Sequence, residues 1–121
     1  IEIYGYNSQL YNNYSEASSK SNGLVAISVM IQLSQKSSRG LSQLTSNMHR
    51  IRYSGSQASL GLVSIVELLP STVYYITYEG SLTHPPCSET VTWIIINKPL
   101  YINMHQLKIL RTLNQGTQSI P

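Results

Sequence analysis

The chain has 121 residues, of which 41% are hydrophobic and 11% charged; it is too apolar for a disordered segment and too interrupted for a membrane span. Its net charge is +3, but the basic residues are scattered and only Arg50 and Arg52 lie close together in sequence. Because nucleic-acid-binding proteins usually concentrate their basic residues, we predict no nucleic-acid partner and no membrane insertion. The length predicts one domain.

The single cysteine, Cys87, excludes a disulfide within this chain and a zinc site built from cysteines. Asn13-Tyr14-Ser15 matches the acceptor sequence for N-glycosylation, with Asn13 as the acceptor. The chain opens within a segment that has the composition of a strand, residues 1–6, and we therefore expect it to be part of a longer domain.

The first third of the chain is predicted to contain two strands. The first covers residues 1–6, and residues 15–20 form one helical turn before the turn dipeptide Asn22-Gly23. The apolar run at residues 24–33 predicts a single strand that is buried on both faces and central to a sheet.

The middle of the chain is predicted to be more helical. Apolar residues at helical spacing predict an amphipathic helix over residues 39–48. Ile51 and Tyr53 predict a short strand. Residues 65–70 end in proline, which favours a tight turn or a short 3₁₀ helix.

The last third is predicted to contain two strands and a closing helix. The strands cover residues 73–78 and 90–97, and a proline-closed loop at residues 81–86 separates them. Asn103 is a typical N-cap residue, and the helix that follows is predicted to end at residues 114–116.

The segment from Tyr78 to Trp93 combines a double proline with a spaced tryptophan, in the order Tyr-Glu-Gly-Ser-Leu-Thr-His-Pro-Pro-Cys-Ser-Glu-Thr-Val-Thr-Trp. It resembles the signature of the α-carbonic anhydrases around their active-site threonine. Further matching segments, in the family's order, are Tyr6-Asn7, Asn22-Gly23-Leu24 and Glu67-Leu68-Leu69-Pro70. The resemblance implies a mainly β (α+β) fold, a large twisted and mostly antiparallel sheet with short peripheral helices. Residues 1–121 would form its C-terminal half, truncated at both ends.

The resemblance also implies a zinc site with three histidine ligands, the third of them on the opening strand. Counting back from Tyr6-Asn7 puts that third position at Glu2 and a position of the carbon dioxide pocket at Tyr4. A carboxylate ligand adds negative charge and makes zinc-bound water less acidic, and tyrosine fills space that the substrate needs. We therefore predict that Glu2 does not bind zinc, that the domain holds no cofactor and that the hydratase activity is lost.

Other site residues follow from the same resemblance. Thr83 matches the hydroxyl that orients zinc-bound hydroxide, and His84 would face the same cavity. Positions of the pocket wall, for which plain core packing is the alternative, are Leu82, Val91 and Trp93. The bond between Pro85 and Pro86 is expected to be cis. Cys87 lies where extracellular members carry half of a disulfide and, with Asn13, it predicts a secreted protein.

Three hypotheses remain. The resemblance is greatest to the secreted carbonic anhydrase-related proteins of the tenth and eleventh type, which implies a non-catalytic module that binds an extracellular or cell-surface protein. The alternative is an active zinc-dependent carbonic anhydrase, favoured by Thr83, Leu82 and Trp93. In the third, the chain alone does not fold, because the apolar runs at residues 24–33 and 90–97 are left unpaired.

Overall fold

The computed structural model describes residues 1–114, which form strands connected by short helices. Within these residues no helix has the length and apolar character needed to cross a bilayer. The strands are β1 (Glu2–Tyr6), β2 (Leu24–Ser28), β3 (Ile31–Leu33), β4 (Tyr75–Gly80), β5 (Val91–Ile96) and β6 (Leu100–Ile102); the α-helices are α1 (Tyr14–Ala17), α2 (Arg39–Thr45) and α3 (Met104–Leu110); and 3₁₀ helices cover Met48–Ile51 and Ile65–Leu68.

The chain divides into two compact units. The first, here called the sheet unit, consists of residues 1–30 and 70–99. The second, the helical unit, consists of residues 31–69 and the residues from 100 onwards. The predicted mainly β class with short helices is confirmed.

The sheet unit contains a mixed four-stranded sheet in the order β1-β2-β5-β4. The β1–β2 and β4–β5 pairings are antiparallel, whereas β2 and β5 are parallel. Among the described residues β2 and β5 are therefore interior strands, and β1 and β4 are the edges. The prediction that residues 24–33 and 90–97 would be left unpaired is wrong for β2 and β5, each of which has a partner on both sides.

One face of this sheet carries the core. Residues two apart in a strand share a face, and the register pairs Leu24 with Val91 and Ala26 with Trp93. The indole N–H of Trp93 donates to the carbonyl oxygen of Ser81 at 3.0 Å, so the polar atom of this buried side chain is satisfied. The buried cluster consists of Ala17, Leu24, Ala26, Leu82, Val91 and Trp93.

A close approach of two backbone segments joins α1 to β2. Asn13 caps α1, because its side-chain oxygen accepts a hydrogen bond from the Glu16 N–H at 2.8 Å. Asn22 adopts a left-handed φ of 54°, which confirms the predicted turn. A Cβ on Gly23 would lie 1.8 Å from the carbonyl oxygen of Ala17, so only glycine fits there.

The helical unit pairs β3 with β6 in a parallel two-stranded sheet and packs α2, α3 and the 3₁₀ helix Met48–Ile51 against one another. Asn103 and Gln106 form a reciprocal capping box at the start of α3, which confirms the predicted N-cap. The buried Gln106 amide also donates to the hydroxyl of Ser42 in α2 at 3.0 Å. One side chain therefore caps α3 and links it to α2.

The predicted strand at residues 24–33 is divided in the structure. β2 ends at Ser28, and β3 begins at Ile31 and pairs in the other unit. The two faces are also unequal, since Leu24 and Ala26 are buried whereas Val25 is 37% exposed. Only one face of β2 is covered, so the prediction of burial on both faces is wrong.

Other boundaries also differ from the prediction, and the helix predicted over residues 39–48 ends at Thr45. Ile51 ends a 3₁₀ helix, and the short strand predicted there is wrong because two apolar residues carry too little periodicity. The strand β6, only three residues long, was not predicted. Helix α3 ends at Leu110, before the predicted end; Gln115 and Gly116 lie outside the described residues.

Candidate functional site

Three polar side chains meet at the end of the sheet face that carries the core. Glu2 and Tyr4 share this face because they are two residues apart in β1. The Thr83 hydroxyl donates to Glu2 Oε2 at 3.0 Å, and the Tyr4 hydroxyl donates to the same oxygen at 2.7 Å. The oxygens of the two hydroxyls are 3.3 Å apart. We call these three residues the Glu2 cluster.

In the Glu2 cluster, the two hydroxyls of Tyr4 and Thr83 are favoured in their neutral, protonated forms beside the Glu2 carboxylate. Hydrogen bonds from hydroxyls to an ionised carboxylate are stronger than bonds between neutral groups. Burial raises the pKa of Tyr4 above its usual 10.0. The hydrogen bond with Thr83 opposes this rise in the pKa, and the Glu2 carboxylate adds to it through its hydrogen bond and its charge. The Tyr4 phenol is therefore held in its protonated, hydrogen-bond-donating form.

The ring of Tyr4 connects the cluster to its aromatic neighbours. It packs edge to face with Trp93, His84 and Tyr14, at centroid distances of 5.9, 6.1 and 6.4 Å. This arrangement is a favourable one for aromatic pairs and fixes the direction of the phenol. His84 is exposed and lies beside the cluster through this ring contact.

A cleft of about 450 Å³ opens beside the cluster. Glu2, Thr83 and Trp93 line it, as do Ser28 and Tyr78, which the sequence analysis did not identify. The signal for Tyr78 is the strand register, since β4 pairs Tyr78 directly with Trp93. Glu2 supplies the only ionisable carboxylate among the lining residues that the structure describes.

The remaining predicted wall residues lie elsewhere. Leu82 and Val91 are 3% and 0% exposed and belong to the core cluster, where the core-packing alternative placed them. Tyr4 does not line the cleft but lies against Trp93 and His84.

Of the three zinc ligands that the resemblance implies, the third is the one whose position lies on β1. The candidate position inferred from the resemblance holds Glu2, and one of its oxygens already accepts two hydrogen bonds. A metal at this oxygen would have to displace both donors.

Asn13 and Cys87 are both exposed and lie outside the cluster. The Oδ1 atom of Asn13 caps α1. Cys87 is a free thiol with a left-handed φ of 58°, and it follows a cis bond between Pro85 and Pro86, which confirms the expected isomer.

Comparison with known proteins identifies the family. The family model for the eukaryotic-type carbonic anhydrases matches residues 1–120, across both units. The chain is 44% identical over all of its 121 residues to the Caenorhabditis elegans protein named "Putative carbonic anhydrase-like protein 2", and it spans 36% of that relative's length. The chain belongs to the eukaryotic-type carbonic anhydrase family.

Proposed function

We propose that this chain is part of a carbonic anhydrase-related domain that does not hydrate carbon dioxide and that acts by binding another protein. The observation that carries the first half of the proposal is the state of Glu2, whose Oε2 accepts hydrogen bonds from both Thr83 and Tyr4. In an active member, the residue at this position is a neutral ligand of zinc, and the matching threonine hydroxyl interacts with the zinc-bound hydroxide. In active members that hydroxyl donates to a glutamate from an upstream part of the domain, whereas here Thr83 donates to Glu2, the residue at the ligand position itself.

Charge gives a second reason. A carboxylate ligand reduces the effective positive charge of zinc and makes its bound water less acidic than three imidazoles do. Tyr4, held by its contacts with Trp93 and His84, adds a bulky phenol beside the same position. Two neighbouring residues of one strand thus oppose the ancestral chemistry.

The test is to measure zinc content and carbon dioxide hydration of the full-length protein in parallel. We expect less than stoichiometric zinc after dialysis and no hydration above the buffer rate. One equivalent of tightly bound zinc together with hydration that a zinc chelator abolishes would support the alternative, an active zinc enzyme. Glu2→Gln is the matched variant: it leaves an inactive protein inactive, but would change the activity of an enzyme that used Glu2 as a ligand.

The binding role is supported by the surface of β4. Among the described residues β4 is an edge strand, and it and the residues before it expose apolar and aromatic side chains, with Tyr74 and Tyr75 70% and 60% exposed. Tyrosine is enriched in protein interfaces, and an open strand edge offers backbone donors and acceptors to a partner. The partner proposed is an extracellular or cell-surface protein.

Binding of the full-length protein to intact cells tests this role. We expect saturable binding that is lost when surface proteins are removed by protease, and that is weakened by Tyr75→Ser. Tyr101→Ser, at an exposed position of β6, is the matched control and should bind as the wild type does. Equal binding by both variants would exclude β4 as the contact surface.

Secretion is supported by Asn13 and Cys87, and the likeness to the tenth and eleventh types by Tyr6-Asn7, Pro85-Pro86-Cys87 and the segment from Glu89 to Ile95. Expressed in animal cells, the full-length protein should carry a glycan at Asn13 and a disulfide at Cys87, both detectable by peptide mass mapping. Ser15→Ala removes the glycosylation sequence but leaves the Asn13 cap of α1 in place, so it should lose the glycan without loss of stability. Retention of the protein inside the cells, with an unmodified Asn13 and a free Cys87 thiol, would contradict secretion.

A further inference from the structure

A second cleft, of about 410 Å³, lies in the helical unit between α2, α3 and the 3₁₀ helix Met48–Ile51. Its walls carry three basic side chains, His49, Arg52 and His105, and among the described residues no carboxylate lines it. His49 and His105 are far apart in the sequence and are brought to the same cleft by the fold. The volume lies within the range of roughly 300–1,000 Å³ that is usual for small-molecule sites.

The charge of the helical unit explains why this cleft has positive character. The unit contains six Lys and Arg residues against one Glu, a net charge of +5, whereas the sheet unit contains two Lys against four Glu, a net charge of −2. The one acidic residue, Glu67, lies 3.7 Å from Arg39. In the described part of the helical unit, Arg52 therefore has no carboxylate within ion-pair distance; its guanidinium lies over the Tyr53 ring, 5.9 Å from the centroid.

The hydrogen-bond donors that the cleft can offer to a ligand belong to its basic side chains. The hydroxyls of Thr45, Ser46 and Thr112 line it too, but each donates its proton to a backbone carbonyl, at 2.9, 3.0 and 2.6 Å. Their protons are therefore committed, and the guanidinium and imidazole N–H groups are what the cleft can offer to a ligand. The planar fork of an arginine matches two oxygens of a phosphate or sulfate group.

We propose that this cleft binds a phosphate or sulfate monoester, with Arg52 as the main ligand-binding residue and His49 and His105 as further N–H donors. An ester is favoured over the inorganic ion because the volume exceeds that of one tetrahedral ion and Ile109 adds an apolar wall. The proposal is independent of the zinc site, since every residue in it belongs to the helical unit.

Isothermal titration of the full-length protein with phenyl phosphate, phenyl sulfate, inorganic phosphate and inorganic sulfate tests the proposal, with chloride at equal ionic strength as the blank. We expect saturable binding of at least one ester, tighter than that of the matching inorganic ion, and the two esters distinguish phosphate from sulfate recognition. Arg52→Gln should weaken it about tenfold, because a hydrogen-bonded charge pair is lost. Arg50→Gln is the matched control, because Arg50 is exposed in the 3₁₀ helix that precedes Arg52 and lies outside the lining; it should bind as the wild type does.

His105→Gln gives a second measurement if Arg52→Gln lowers the melting temperature. It should weaken ester binding while the melting temperature stays that of the wild type, because His105 is exposed and its replacement keeps an N–H donor of different reach. Absence of saturable binding of either ester at millimolar concentration would overturn the proposal. So would equal weakening by Arg50→Gln and Arg52→Gln, which would indicate attraction to the overall charge of the unit instead of a site.

Discussion

The two units of this chain differ in how their charged side chains are paired. In the sheet unit the carboxylates of Glu2, Glu16 and Glu79 each accept hydrogen bonds from nearby residues. In the described part of the helical unit, the Arg39–Glu67 contact is the one ion pair, and the basic side chains outnumber the acidic ones six to one. Three of the four carboxylates of the sheet unit are therefore hydrogen-bonded within it, whereas the helical unit leaves positive charge available to a ligand.

This difference bears on function. A metal at Glu2 Oε2 would displace two hydrogen bonds, because Thr83 and Tyr4 both donate to that oxygen. Arginine and histidine side chains with no acidic neighbour are a better starting point for anion binding, since no existing pair has to be broken. The cleft beside the Glu2 cluster and the cleft in the helical unit thus differ in the existing interactions that a ligand must displace.

The largest loss of stability is expected at the glycine with the tightest backbone approach in each unit. A Cβ on Gly23 would lie 1.8 Å from Ala17 O, and one on Gly40 would lie 2.6 Å from Glu67 O. We expect Gly23→Ala to cost more than about 3 kcal/mol of unfolding free energy, because neither backbone segment can move aside cheaply. Gly40→Ala should cost about 2 kcal/mol, since alanine's higher helix propensity in α2 offsets part of the clash.

Urea unfolding of the full-length protein measures both effects. Gly5→Ala is the control, because its Cβ would lie 3.3 Å from a Val25 side-chain methyl that can rotate, and we expect a change below about 1 kcal/mol. A larger loss for Gly40→Ala than for Gly23→Ala would show that the helical unit is the less adaptable of the two.

A smaller effect is expected at the link between α2 and α3. Gln106→Ala removes half of the capping box and the hydrogen bond to Ser42, and should cost about 2 kcal/mol. Gln32→Ala, at an exposed position of β3, should stay within about 0.5 kcal/mol of the wild type. If the two variants were equally stable, the helical unit would not depend on buried polar contacts.

The local elements could be predicted where one strong pattern dominated. The Asn22-Gly23 turn, the Asn103 cap and the strand around Trp93 all follow from residues adjacent in sequence, and all three are confirmed. The division of residues 24–33 could not be predicted, because β2 and β3 differ only in the partner strands that they meet, Val91–Ile96 and Leu100–Ile102.

The sequence predicted which residues belong to the site but not how their side chains interact. The resemblance identified Glu2, Tyr4 and Thr83 but gave no indication that both hydroxyls would donate to one carboxylate oxygen, because that depends on side-chain directions across the sheet. The cleft with His49 and His105 was missed for a similar reason. These two residues, 56 positions apart, are brought together by helix packing, which leaves no periodic signal in the sequence.

The smallest effect is a pH dependence that tests the Glu2 cluster directly. Because the pKa of Tyr4 is raised in the folded chain, the folded state holds this proton at pH values where the unfolded state has released it. The stability that Tyr4 contributes is thus present below its ordinary pKa of 10.0 and declines as the pH rises from there towards the raised value. Tyr4→Phe carries no such proton, so its melting temperature should fall less steeply than that of the wild type between neutral pH and pH values above 10.0. Parallel declines in the two melting temperatures would mean that burial and the Glu2 carboxylate do not hold the phenol in its protonated form. The Glu2 cluster, on which the non-catalytic proposal depends, would then lose its main electrostatic support.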